Sequence, residues 1–154
     1  MKPIILLLAV AVTLNSCEKS ADSFDSTTVD YLAFGTSYGM CTGDCAKLFS
    51  ISNKQLFPDN MNYYYSGQIS FSSTPEPETK YQLAKELLEN FPVYLINHAD
   101  TTYGCPDCTD QGAIHLQLKQ NNVVKTWHVD TNISKQPVEI RNYIARLHTI
   151  LAQL

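Results

Sequence analysis

The sequence has no apolar run long enough to span a membrane. The run from Ile4 to Leu14 covers about 11 residues, where a spanning helix takes roughly 20. Positive charge is also scarce: 11 Lys and Arg stand against 15 Asp and Glu, for a formal net charge of -4. Nucleic-acid binding needs Lys and Arg clustered on one face, and no such cluster occurs, so that class of partner is excluded. There is no Gly-x-Ser-x-Gly elbow and no paired-carboxylate motif, so no hydrolase signature is recognisable. No internal repeat occurs, and low complexity is confined to the stretch from Glu18 to Thr28.

The short apolar run has a different use. Lys2 precedes it, and Leu14-Asn15-Ser16-Cys17 follows. Its length suits the hydrophobic region of a signal peptide. Together these residues resemble a bacterial lipoprotein signal, in which Cys17 is lipidated and becomes the new N-terminus. The resemblance implies a signal peptide over 1–16 and a lipidated tether over 17–28. A single domain is then expected over 29–154, long enough to build its own core. Removing Lys2 takes the formal charge to about -5. The tether is rich in Ser, Asp and Thr, and as a coil its end-to-end span would be roughly 15–20 Å. Each acyl CH₂ buried in lipid adds roughly 0.8 kcal/mol, so several acyl chains on Cys17 exceed what stable anchoring requires.

Hydrophobic periodicity predicts an α+β domain. Strands are expected over Val29 to Thr36, Cys45 to Ser52, Gln55 to Phe57 and Tyr63 to Ser72, the last interrupted at Gly67. Thr74-Pro75-Glu76 has the chemistry of a helix start, with a hydroxyl, a first-turn Pro and an acid. The helix it opens should be regular by Glu78, with Tyr81, Ala84 and Leu88 on its apolar stripe, and should end at Asn90-Phe91-Pro92. Val93 to Ile96 is an apolar run that fits either state, and His98 to Gly112 reads as a long loop. Ala113 to Lys119 and Val123 to Asp130 form a hairpin around Asn121-Asn122, since Asn tolerates the positive φ of a tight turn. Its register would pair Leu116 with Trp127 on one face and His115 with His128 on the other. Ser134 to Leu154 carries Ile140, Ile144, Leu147, Leu151 and Leu154 at helical spacing, with Pro137 in the first turn. The architecture expected is a mainly antiparallel sheet with two helices on one face and long Cys-containing loops.

With Cys17 set aside, Cys41, Cys45, Cys105 and Cys108 remain, an even number suited to a disulfide-permissive compartment. Two structural disulfides are the leading reading. Closing a loop of some 60 residues is worth about 4 kcal/mol, against about 2 for one of four or five, which favours crossed bridges between the two pairs. Residues at such short spacing can nevertheless reach each other, so local pairing stays open. Two alternatives stand beside it. All four thiolates could hold one zinc ion, since Cys-Pro-x-Cys looks like half of a zinc ribbon, although Thr109 stands where Gly is usual. Cys105 and Cys108 could also form a redox pair, although no strand precedes them as it does in thioredoxin-like proteins.

Three further groups could carry chemistry. His115, His128 and Asp130 share one face of the hairpin and could form a metal triad or a pH-sensitive patch. Asp100, Asp107 and Asp110 could offer oxygens to calcium, but their spacing matches no EF-hand and Asp is an ordinary turn residue. Tyr38 and Tyr63-Tyr64-Tyr65 could present rings to a sugar or peptide, though strand burial explains them as readily.

Phe34-Gly35-Thr36-Ser37-Tyr38-Gly39-Met40-Cys41 and Gly104-Cys105-Pro106-Asp107-Cys108-Thr109-Asp110-Gln111-Gly112 resemble segments of small lipoproteins of Bacteroidetes-type bacteria. That group has no assigned activity, so the resemblance implies a compartment and domain limits and no catalytic residue. The expectation is a lipid-anchored protein of the cell envelope, held at the outer membrane through Cys17, facing either the periplasm or the exterior. Its domain would be a non-enzymatic binding or structural module without a cofactor, engaging an envelope protein or a small ligand. The alternative is a thiol–disulfide or zinc-dependent protein using the Cys105/Cys108 loop.

Overall fold

The computed structural model describes residues 24–64 and 68–154. The signal peptide, Cys17 and the residues up to 23 lie outside these, as does Tyr65. Six strands form one sheet among the described residues: β1 (Val29–Ser37), β2 (Ala46–Ser52), β3 (Gln55–Pro58), β4 (Thr101–Tyr103), β5 (Ala113–Gln120) and β6 (Val123–Asp130). Their order is β3-β2-β1-β5-β6-β4. Every pairing is antiparallel except that of β4 with β6. Three helices accompany the sheet among the described residues: α1 (Glu78–Glu89), α2 (Val93–Asn97) and α3 (Val138–Leu151). The α+β architecture is therefore the one expected, with α2 added where the apolar run Val93 to Ile96 fitted either state. None of the helices among the described residues is long and apolar enough to cross a membrane.

Strand alternation decides where the core lies. Leu32 and Phe34 of β1, Ile114, Leu116 and Leu118 of β5, and Trp127 and Val129 of β6 point to one face and are fully buried. Against them pack Ala84 and Leu87 of α1, Leu95 of α2, and Ile140, Ile144 and Leu147 of α3. Trp127 keeps its indole N–H satisfied by donating to the His98 carbonyl at 2.7 Å. The Tyr143 hydroxyl of α3 donates to the Leu87 carbonyl at 3.1 Å, tying the two long helices together. At the middle of the sheet, β2 lies so close to β1 that a Cβ on Gly35 would sit 2.6 Å from the Leu48 Cα.

The β5–β6 hairpin has the expected register, with Leu116 opposite Trp127 and His115 opposite His128. Asn121 and Asn122 take φ of 52° and 65°, the left-handed pair that a type I′ turn requires. The first long helix is regular from Glu78 as expected, and the last begins later than expected. α1 starts after Pro77, beyond the Thr74 hydroxyl, and α3 starts after Pro137, with a separate 3₁₀ turn over Ile133–Lys135. Each proline supplies the fixed φ for helix entry and has no N–H to orphan.

Three expectations are corrected. The strand expected over Tyr63 to Ser72 is not a ladder in its described residues; Phe71 makes an isolated bridge to Asp59. β-formers alone do not make a strand where no partner backbone runs alongside. Within the expected loop His98 to Gly112, Thr101–Tyr103 pairs with the edge of β6. The domain also reaches back beyond Val29. The Phe24 ring lies 5.5 Å from that of Phe91, Asp25 caps the 3₁₀ turn Ser26–Thr28, and Gln120 Nε2 donates to Thr28 Oγ1 at 2.5 Å. Phe24→Ala should therefore cost about 1–2 kcal/mol, less than a fully buried Phe would. A urea midpoint unchanged by that substitution would return 24–28 to the tether.

Candidate functional site

The face of the sheet opposite the helices carries the polar residues. On the central rung Gly35, His115 and His128 stand side by side across β1, β5 and β6. Two residues further along β1, Ser37 brings its Oγ to 2.6 Å from His115 Nε2. The Tyr64 ring stacks on the His115 imidazole with centroids 3.8 Å apart. His128 meets His115 edge-on at 5.0 Å, and its Nε2 lies 3.4 Å from the Tyr64 hydroxyl. These side chains form one wall of a cavity of about 350 Å³, with Asp107 and Pro106 on the other.

His115 is only 6% exposed, and its Nδ1 has no hydrogen-bond partner among the described residues. Burial chiefly, with the neighbouring His128 adding and Asp107 opposing, pushes its pKa down to about 3. Burial also lowers the pKa of His128. At neutral pH the His115 imidazole is therefore uncharged, a buried hydrogen-bonding group among polar and aromatic neighbours.

Ser37 and His115 have the first contact of a nucleophile–base–carboxylate relay, through the appropriate nitrogen. Among the described residues no carboxylate orients Nδ1 as the third member would. A base with a pKa near 3 also holds a proton poorly at neutral pH, where general bases work best with pKa values near the ambient one. Among the described residues the pair is hydrogen-bonded and neutral, without the third member of such a relay.

Asp107 fixes the opposite wall. It takes φ of 58°, and its two carboxylate oxygens accept from Gly39 N at 2.6 Å and Gly112 N at 2.9 Å. It thus joins the two cysteine loops. A Cβ on Gly112 would come within 2.5 Å of the Tyr38 ring, so glycine lets that ring lie against the loop.

The sulfurs do not join the loops. Cys41 bonds Cys45 and Cys105 bonds Cys108, with Cα separations of 5.6 and 5.5 Å. The crossed pairing favoured by loop entropy is overturned: each loop turns back on itself tightly enough to close its own bridge, and a carboxylate bridges between them. The same pairing removes the zinc alternative for Cys41, Cys45, Cys105 and Cys108 in this oxidised state, since a Cys₄ site needs four convergent thiolates. Among the described residues no group of three or more His, Cys, Asp or Glu is placed to hold a metal ion.

The remaining candidates have other roles. His115 and His128 do meet, but Asp130 does not complete a triad with them. Its Oδ1 accepts from Asn132 N at 2.8 Å and its Oδ2 from Cys105 N at 2.9 Å. Those two N–H groups hold its carboxyl below the usual range. Asp100, Asp107 and Asp110 all take left-handed backbone, with φ of 54°, 58° and 59°, as turn residues do. Asp100 accepts from Thr126 N at 3.0 Å, so its oxygen serves the edge of the sheet. Of the tyrosines, Tyr64 and the 45% exposed Tyr38 line the cavity, while Tyr63 is 42% exposed.

Ser37 is the site residue that the sequence does not reveal, lying one position beyond the strand expected over Val29 to Thr36. It is the last residue of β1, and the β1–β5 register is what delivers it to His115. No family model matches this chain, and no curated protein is similar to it in sequence.

Proposed function

We propose that this protein is a lipid-anchored component of the cell envelope whose domain binds a small ligand in the cavity beside His115, without catalysing its conversion. The observation that supports this best is a buried, neutral His115 lining a cavity of about 350 Å³, its Nδ1 without a hydrogen-bond partner among the described residues. A buried polar atom left unsatisfied costs about 1–3 kcal/mol, a cost that a bound hydrogen-bonding ligand would offset. The volume falls within the range of small-molecule sites. The anchor rests on the sequence around Cys17, and the resemblance to Bacteroidetes-type lipoproteins supports an outer-membrane location.

Phenol is a suitable probe, since it fits such a cavity and its hydroxyl can either donate to Nδ1 or accept from it. Phenol is expected to shift the imidazole resonances of His115 and His128 while leaving those of the distant His148 in place. The double variant Ser37→Ala/His115→Leu should lose this response and melt no lower than the parent protein. Replacing both partners of a buried hydrogen bond by apolar groups is close to neutral, and here it also removes the orphaned nitrogen. A variant that melts far below the parent would make the pair structural and would overturn the binding reading.

A further inference from the structure

The two disulfides differ in exposure. Cys45 is 1% exposed and Cys41 half-buried, so solvent reaches the first bridge poorly. Cys105 and Cys108 are both exposed and line a cleft of about 390 Å³ together with Lys135. Thiol–disulfide exchange depends on access for the attacking thiolate and on stabilisation of the departing one. An open cleft provides the first.

The exposed bridge also encloses Asp107, the carboxylate that joins the two loops. Besides its bonds to Gly39 N and Gly112 N, Asp107 donates its own N–H to the Gly112 carbonyl at 3.1 Å. Its left-handed backbone is held within the three-bond span from Cys105 to Cys108. Gln111 Nε2 adds a bond to the Cys105 carbonyl at 2.8 Å. Opening the bridge removes the covalent restraint on the turn that aims Asp107, and Asp107 and Pro106 form the wall of the His115 cavity facing the histidines.

We propose that Cys105–Cys108 is a thiol-exchange site for a dithiol reductant, and that its reduction releases Asp107 from Gly39 and loosens the wall of the His115 cavity. In the step, a thiolate of the dithiol attacks one of the two exposed sulfurs. A mixed disulfide forms, the Cys105–Cys108 bond breaks, and the departing cysteine takes a proton from water. The second thiol of the reductant then attacks the mixed disulfide and frees the other cysteine as a thiol. The dithiol leaves as its disulfide, and two electrons and two protons have passed to the protein. The exchange itself does not depend on the cavity taking a ligand, so failure of the phenol experiment leaves it standing.

Dithiothreitol serves as the reductant in the test, applied in graded amounts to the full protein with both bridges formed. Differential alkylation read by mass spectrometry should find Cys105 and Cys108 labelled at concentrations about tenfold below those needed for Cys41 and Cys45. Circular dichroism should be unchanged at that point, while amide exchange at Gly39 and Gly112 rises about tenfold. The double variant Cys105→Ser/Cys108→Ser should show the same fast exchange without any reductant. Reduction of both bridges together, only as the domain unfolds, would overturn the exchange site. Selective reduction with Gly39 exchange unaltered would overturn the link to the cavity.

Discussion

Moving the protein from pH 7 to pH 4 is expected to lower its folding stability by about 3 kcal/mol, chiefly through His115. The native state holds this imidazole at a pKa of about 3, whereas the unfolded chain binds its proton near 6.5. Below pH 6.5 the unfolded state therefore takes up a proton that the native state refuses. Stability is complete above that value, falls as the pH drops, and levels off near pH 3 where both states are protonated. Each unit of the window is worth about 1.4 kcal/mol. The groups facing the ring leave this sign in place: His128 is itself depressed by burial, and only Asp107 opposes the shift. Urea midpoints measured at half-unit steps would trace the slope, and Ser37→Ala/His115→Leu should flatten most of it. Equal stability at pH 7 and pH 4 would mean that the folded protein protonates His115 freely, and that the site is wetter than its packing against Tyr64 implies.

Replacing Cys17 with Ser is expected to move the whole population from the membrane pellet to the soluble fraction. Each acyl CH₂ contributes roughly 0.8 kcal/mol, so several chains on Cys17 would hold the protein firmly and their loss would leave nothing comparable. The described domain has no helix able to substitute for them. Fractionation of cells carrying either form, with labelled fatty acid incorporated during growth, reads both the location and the lipid. A Cys17→Ser protein that stays in the pellet without label would place the attachment elsewhere in the chain.

The parts of the molecule that could be read from sequence are those whose geometry is local. The β5–β6 hairpin is one, because Asn121-Asn122 set the turn and strand alternation then dictates which residues oppose. From that register follows the meeting of His115 and His128, half of the candidate site. The other half depends on distant pairing. Ser37 reaches His115 across a separation of 78 residues, and no local signal reports that β1 lies beside β5. The parallel edge strand Thr101–Tyr103 is three residues of a polar stretch and gains its conformation from β6. Disulfide pairing is a similar case. Loop entropy compares unfolded chains and is blind to the tight course of each folded loop, which brings partners three and four residues apart within bonding distance. Tyr64 misleads in another way, since its β-forming chemistry suggests a strand while its ring is used as a lid over an imidazole.

The contact of Phe24 with Phe91 sets a limit on reach. With Cys17 as the anchor, seven peptide units separate the lipid from a residue already fastened to the body of the domain. Even fully drawn out, that length covers no more than about 25 Å. If Cys17 is lipidated as proposed, such a leash would not let the domain roam through the envelope and would keep it close above the headgroups. A large partner would have to come to the lipid surface to meet it, whereas a small solute, or the dithiol that opens Cys105–Cys108, need only diffuse there.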